Sequence, residues 1–229
     1  MEIVLIRHAE PEWVRDGAGQ LDPRLTERGR EQARLLGEHA RALRGPTELF
    51  VSPMRRARET AEPLAETFGI APRELEWLEE VRLPRDWEGA PADRISAALR
   101  AARHRPAAAW WDGLEGGETF RDFHGRVTRG LTGLLTDRGV EVTGDEAPHA
   151  FRGAADLPHR IFIVAHGGTN AVALTFLLGL LPVPWEWERF ASLHASITRA
   201  RAVDVAGGRI FALSLFGGVE HLPKPLRTR

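Results

Sequence analysis

Apolar positions along the chain follow two rhythms. Short unbroken runs at 3–6, 49–51 and 161–165 read as strands covered on both faces, which show no polar alternation. Between them apolar residues return every three or four positions, the period of a helix with one buried stripe. After a loop over 21–25 containing Pro23, Thr26 caps a helix predicted over 27–43. Ala33, Leu36, Ala40 and Leu43 share one face of it, and Gly45-Pro46 ends it. Ser52 reads as a cap with Pro53 at the first position of a helix running to Phe68. The pattern further predicts a strand over 75–81, helices over 94–103, 119–135 and 169–180, and two closing strands over 196–205 and 209–215. Gly207-Gly208 between the last two signals a tight hairpin.

Strands alternating with helices imply an α/β fold, a three-layer α/β/α sandwich. Its central sheet is expected to be mostly parallel with helices on both faces, and the terminal hairpin to add an antiparallel edge. There is no internal repeat and no clear linker, so 1–229 is expected to be a single domain. The segment 140–160 is rich in Gly, Pro, Asp, His and Glu and reads as a loop insertion.

Composition narrows the chemistry more than the fold. The formal net charge is −1, which gives no overall attraction to nucleic acid or membranes. Lys224 is the one lysine, so fixed cationic sites must be built from guanidinium groups, which grip phosphate and carboxylate with paired hydrogen bonds. With no cysteine, disulfides, thiolate catalysis and zinc-thiolate sites are excluded. The amino terminus enters a strand by its third residue without a basic leader, so no signal peptide is expected. The longest apolar run, 171–181, is too short to span a bilayer. A soluble cytoplasmic protein is the expectation. The apolar helices and the seven tryptophans fit either a partner surface, as in a homo-oligomer, or the core.

Two of the buried runs end alike. The first leads into Arg7-His8-Ala9-Glu10 and the third into His166-Gly167-Gly168. In an open α/β sheet, ligands bind outside the carboxyl ends of strands, so two distant histidines can meet over one site. An arginine beside His8 is costly to bury without an anion, and a neutral imidazole is a competent nucleophile near pH 7. Arg56 lies in the first turns of a helix that follows a strand, where the helix terminus already favours negative charge. Arg55 and Arg58 read as exposed. The two glycines after His166 let backbone N–H groups approach an anion. Glu10, Pro11 and Trp13 fit the edge of a pocket. His39 and His104 fall on polar helix faces, and His124, His149, His159, His194 and His221 belong to no motif.

Taken in order, these pieces resemble the histidine phosphatase superfamily, also called phosphoglycerate mutase-like. Arg7-His8-Ala9-Glu10 is similar to its Arg-His-Gly-Glu signature. Leu25-Thr26-x-x-Gly29-x-x-Gln32-Ala33 resembles its first helix start, and Ser52-x-x-x-Arg56-Ala57-x-x-Thr60-Ala61 its second arginine motif. Gly116-Gly117-Glu118 resembles its Gly-Glu-Ser segment, Val164-x-His166-Gly167-Gly168 its second histidine motif, and Ala195-Ser196-Ile197-Thr198 its late strand. The resemblance implies that His8 accepts the phosphoryl group and that Arg7, Arg56 and a cationic His166 hold its oxygens. It also implies a carboxylate proton donor in a segment whose nearest counterpart is 78–89, where the gap before Trp87 is one residue longer and the usual glycine is missing. Glu80 is favoured as that donor; Glu79, Glu88 and Glu118 are alternatives.

What the resemblance implies is a phosphatase of small phosphorylated metabolites that needs no metal and no cofactor. Two rivals are open. A cofactor-dependent phosphoglycerate mutase shares the nucleophile, although the Asn-Lys-x-Glu-Thr segment usual in those enzymes is absent. A phospho-ligand-binding regulatory module without turnover is the other, and it would not need the nucleophile.

Overall fold

A computed structural model of the chain describes residues 1–144, 148–153 and 159–229. In chain order its elements are β1 (Glu2–Arg7), β2 (Val14–Arg15), β3 (Ala18–Gly19), α1 (Glu27–Ala40), β4 (Glu48–Val51), α2 (Arg55–Phe68), β5 (Arg73–Glu74) and α3 (Ala92–Ala102). Then follow α4 (Phe120–Thr136), β6 (Val140–Thr143), β7 (Ala150–Gly153), β8 (Arg160–Ala165), α5 (Gly167–Leu177), α6 (Glu186–Arg189), β9 (Ile197–Val205) and β10 (Gly208–Gly218). Among the described residues no helix is long and apolar enough to cross a membrane.

Eight strands form one sheet in the order β5-β4-β8-β1-β9-β10-β7-β6. The half from β5 to β1 is parallel, and every pairing from β1 to β6 is antiparallel. The layers are those expected, and the antiparallel part is larger than one hairpin because β6 and β7 join it. That segment, expected as an irregular insertion, holds β6 and β7. Phe151 anchors it, fully buried against Phe211 with ring centroids 5.0 Å apart. Within the expected insertion, 145–147 and 154–158 lie outside the described residues.

Successive side chains of β1 and β8 point to opposite faces, and both faces are covered. Ile3, Leu5, Ile161 and Ile163 pack with α4 and α5. Val4, Ile6, Phe162 and Val164 pack with α1 and α2. Thr26 caps α1 through its hydroxyl, which accepts the Gly29 N–H at 2.9 Å, and Thr119 caps α4 likewise.

Three expectations change. The predicted strand 75–81 is instead a single 3₁₀ turn, Glu76–Leu78, followed by irregular chain. The helix predicted from Ser52 starts at Arg55 with Met54 in the cap position, which releases the Ser52 hydroxyl for other work. The closing hairpin turns on Ala206 and Gly207, both left-handed at φ 49° and 79°, while Gly208 already belongs to β10.

Candidate active site

The site begins where the parallel strands end. Arg7 pairs with Ala165 across β1 and β8, so the next residue of each chain, His8 and His166, leaves the sheet side by side. Their rings lie 5.1 Å apart between centroids. Neighbouring elements fix the turn after β1: the Ala9 N–H donates to Thr60 Oγ1 at 3.0 Å, and the Glu10 N–H to Gln32 Oε1 at 2.8 Å. A Cβ on Gly29 would collide with the Glu10 carbonyl, so α1 reaches this turn only with glycine there.

His8 is buried, and its Nδ1 lies 2.7 Å from the Ala9 carbonyl. A carbonyl only accepts, so Nδ1 carries the proton and the Nε2 lone pair is free. Burial pushes the His8 pKa well below the usual histidine value, and the charges of Arg56, His166, Arg7 and His194 push the same way. His166 is fully buried. Its Nε2 is 2.8 Å from Ser52 Oγ, which itself accepts the Met54 N–H at 3.3 Å. The hydroxyl can give its proton to Nε2, and in that tautomer His166 presents an Nδ1–H. Burial, then Arg56, Arg7 and Arg126, hold this ring well below its ordinary pKa. With no anion bound the ring is therefore neutral where a cation was expected, because burial, ahead of the nearby guanidinium groups, disfavours its charge.

Those guanidinium groups are short of partners. Arg56 is 1% exposed, with Asp22 at 3.9 Å, the Leu21 carbonyl at 3.4 Å and the Trp13 ring at 4.7 Å. Burial lowers its pKa to about 10, which leaves it charged. Arg7 donates to the Ser192 carbonyl and to His194. Arg7 Nε, Arg56 Nε and His166 Nδ1 are all buried without a hydrogen-bond partner. Unpaired donors at this depth are costly, and an anion is what satisfies them.

Glu80 joins this group. Its carboxylate accepts the Gly168 N–H at 2.8 Å and the Val81 N–H at 3.1 Å, and it lines one cavity of about 690 Å³ together with Arg7, His8 and Arg56. A Cβ on Gly168 would overlap that carboxylate. The other carboxylates are engaged elsewhere. Glu79 pairs with Arg82 at 2.8 Å, and Glu88 accepts the Leu21 N–H at 2.8 Å. Glu118 pairs with Arg126 at 2.7 Å, and Arg126 also donates to the carbonyls of Trp77, Glu79 and Glu80. This pair pins the irregular segment that carries Glu80. Arg55 and Arg58 are exposed in ion pairs with Glu59 and Glu74. Glu10 turns away to Thr26 and Arg28.

Sequence reasoning missed two members. Ser52 was legible as a helix cap and as the start of the second arginine motif, without a role at the site. His194 lies 5.6 Å from His8 and 3.2 Å from Arg7 Nη2, and no motif marks it.

The family model of the histidine phosphatase superfamily (branch 1) matches residues 3–210. The chain belongs to that superfamily. It is 28% identical to a probable phosphoglycerate mutase, GpmB, of Salmonella typhi, over 98% of this chain and 96% of the relative. Among solved structures it is similar to a mycobacterial glucosyl-3-phosphoglycerate phosphatase complexed with VO3, with a TM-score of 0.71, 26% identity and coverage of 95% of this chain and 99% of that one. The fold also matches a phosphoserine phosphatase of Entamoeba histolytica in complex with 3-phosphoglyceric acid, with a TM-score of 0.65, 20% identity and coverage of 97% and 99%.

Proposed function

We propose that this superfamily member hydrolyses small phosphomonoesters through a phosphohistidine formed on His8 Nε2. One observation carries the reading: three buried nitrogens without hydrogen-bond partners, Nε of Arg7 and of Arg56 and Nδ1 of His166, lie around a buried histidine whose Nε2 lone pair is free. That set matches a phosphoryl group with three charged oxygens and an atom in line behind phosphorus. In the first step His8 Nε2 bonds to phosphorus as the bond to the alcohol oxygen breaks. The electron pair leaves on that oxygen, which takes a proton from Glu80. In the second step the water oxygen bonds to phosphorus and gives a proton to Glu80, while the P–N bond breaks and its electron pair returns to His8 Nε2. General acid–base help of this kind is worth about 10²–10⁴-fold.

The guanidinium groups of Arg7 and Arg56 take the part that a metal ion plays in other phosphoryl-transfer sites. Small phosphorylated metabolites are the substrate class that the name of the mycobacterial phosphatase supports, and a cytoplasmic setting suits them. The test is phosphate release from a phosphomonoester panel by wild type and His8→Ala, with and without EDTA. We expect turnover by wild type in chelator and loss of at least about 10³-fold in the variant, the scale on which removing a nucleophile acts. Equal rates for the two proteins would sink the reading. A mutase is the second reading, favoured by the name of the GpmB relatives. Interconversion of 2- and 3-phosphoglycerate without free phosphate would establish it.

A further inference from the structure

Arg7 is held by more than its own strand. Its Nη1 donates to the Ser192 carbonyl, and its Nη2 lies 3.2 Å from His194 Nε2. A guanidinium has donors only, so His194 Nε2 must be the acceptor and Nδ1 must carry the proton. Nδ1 lies 2.9 Å from Thr228 Oγ1, which accepts its N–H. The same oxygen accepts from Gln32 Nε2 at 2.9 Å, and Gln32 also donates to the Leu226 carbonyl at 2.7 Å. The His194 N–H donates to the Thr228 carbonyl at 2.9 Å. Residues 226–228 are thus clasped between α1 and the His194 segment. The residue after His194 adds a constraint. Ala195 is fully buried and left-handed at φ 54°, a conformation unfavourable for any residue with a Cβ. Its N–H donates to the His8 carbonyl at 3.2 Å. The strained turn aims the imidazole back at the arginine.

We propose that His194, locked in its Nδ1–H tautomer by Thr228, is a positioning residue that orients Arg7 for phosphoryl binding and transfer. The proposal rests on the phosphatase reading of the site. Protonating the ring would set an imidazolium against a guanidinium. Burial and Arg7 keep its pKa at about 3, so the acceptor persists at working pH. Without it, Arg7 keeps one hydrogen bond and is free to rotate about it, whereas productive phosphoryl contacts need alignment within roughly 0.5 Å.

A double-mutant cycle tests the idea, with para-nitrophenyl phosphate as substrate and orthovanadate as inhibitor. His194→Leu should lower kcat/KM on the order of 10–100-fold, the usual consequence of a misaligned binding group, and weaken vanadate inhibition in step. The same change in an Arg7→Ala background should cost nothing further, because the residue acts through Arg7. His194→Gln, whose amide oxygen reaches the place of Nε2, should recover most of the loss. Thr228→Val should cost about fivefold, the worth of one neutral hydrogen bond. It carries the cycle if His194→Leu folds poorly. Nitrogen-15 spectra of the wild-type ring should show Nδ1 protonated and Nε2 bare. Losses that multiply with that of Arg7→Ala, or an Nε2–H tautomer, overturn the proposal. If wild type releases no phosphate, the phosphatase reading fails by itself, and vanadate affinities across the same variants, which need no turnover, decide the positioning claim.

Discussion

A nucleophilic imidazole must be neutral, and His8 is kept so by burial first and by Arg56, His166 and Arg7 after it. The neutral form exists above the pKa, and a lowered pKa extends it to more acid solution. As pH falls from about 7 to about 5, kcat/KM corrected for the second ionisation of the substrate phosphate, near pKa 6, should not decline. A fall with its break close to the ordinary histidine value of about 6.5 in a steady-state pH profile would contradict this. Stability runs the other way. The unfolded chain takes up protons at these histidines below about pH 6.5 while the native one does not, so stability is fully present above that pH and declines below it. Each neutral histidine contributes a slope of about 1.4 kcal/mol per pH unit there, and the thermal midpoint should fall accordingly. At this scale the site was largely legible. Arg7, His8, Arg56 and His166 sit in sequence contexts, strand end or helix start, whose geometry is local. His194 was not legible, because its partners Arg7 and Thr228 are 187 and 34 positions away and nothing local marks it.

Among the elements, the segment 75–81 shows where pattern reading ends. Leu75, Leu78 and Val81 are apolar, yet the chain makes one 3₁₀ turn there and then runs irregularly. Its backbone carbonyls are satisfied by the Arg126 side chain of α4 instead of a strand partner. No local rule in the sequence announces that substitution, although a lone arginine on the inner face of α4, opposite the acidic 78–80 stretch, is the trace it leaves. The arrangement has a consequence for Glu80. Arg126→Met leaves the mostly buried Glu118 carboxylate without its cation, with the Arg82 N–H as its remaining donor, which should cost about 2–3 kcal/mol in chemical denaturation. Adding Glu118→Leu removes the orphaned charge and should restore part of that stability. It restores no donor to the carbonyls of Trp77, Glu79 and Glu80, so phosphate release should remain well below wild type in both variants. A double variant with wild-type kcat would show that Glu80 holds its place without Arg126.

For the molecule as a whole, the parallel half of the sheet and the helices on its faces follow from the two apolar rhythms, whereas the extent of the antiparallel half does not. The segment 140–160 is polar enough to read as a loop because β6 and β7 lie at the edge, where only one or two inward positions per strand need be apolar. Val140 and Phe151 are those positions. Phe151 packs edge-on to Phe211 and to Phe176 of α5, so the hairpin closes one end of the core beneath α4 and α5. A dispensable loop would tolerate truncation of this ring at well under about 0.5 kcal/mol. A core residue would not: Phe151→Ala should lower unfolding stability by about 3–5 kcal/mol. His8 and His166 leave from β1 and β8, and β9 and β10 separate β1 from β7. The kcat per folded molecule should therefore stay within about twofold of wild type, since distant sites act independently. Denaturant titration together with active-site counting measures both quantities, and a large loss of kcat at unchanged stability would mean that the edge hairpin reaches the site by a route other than the core.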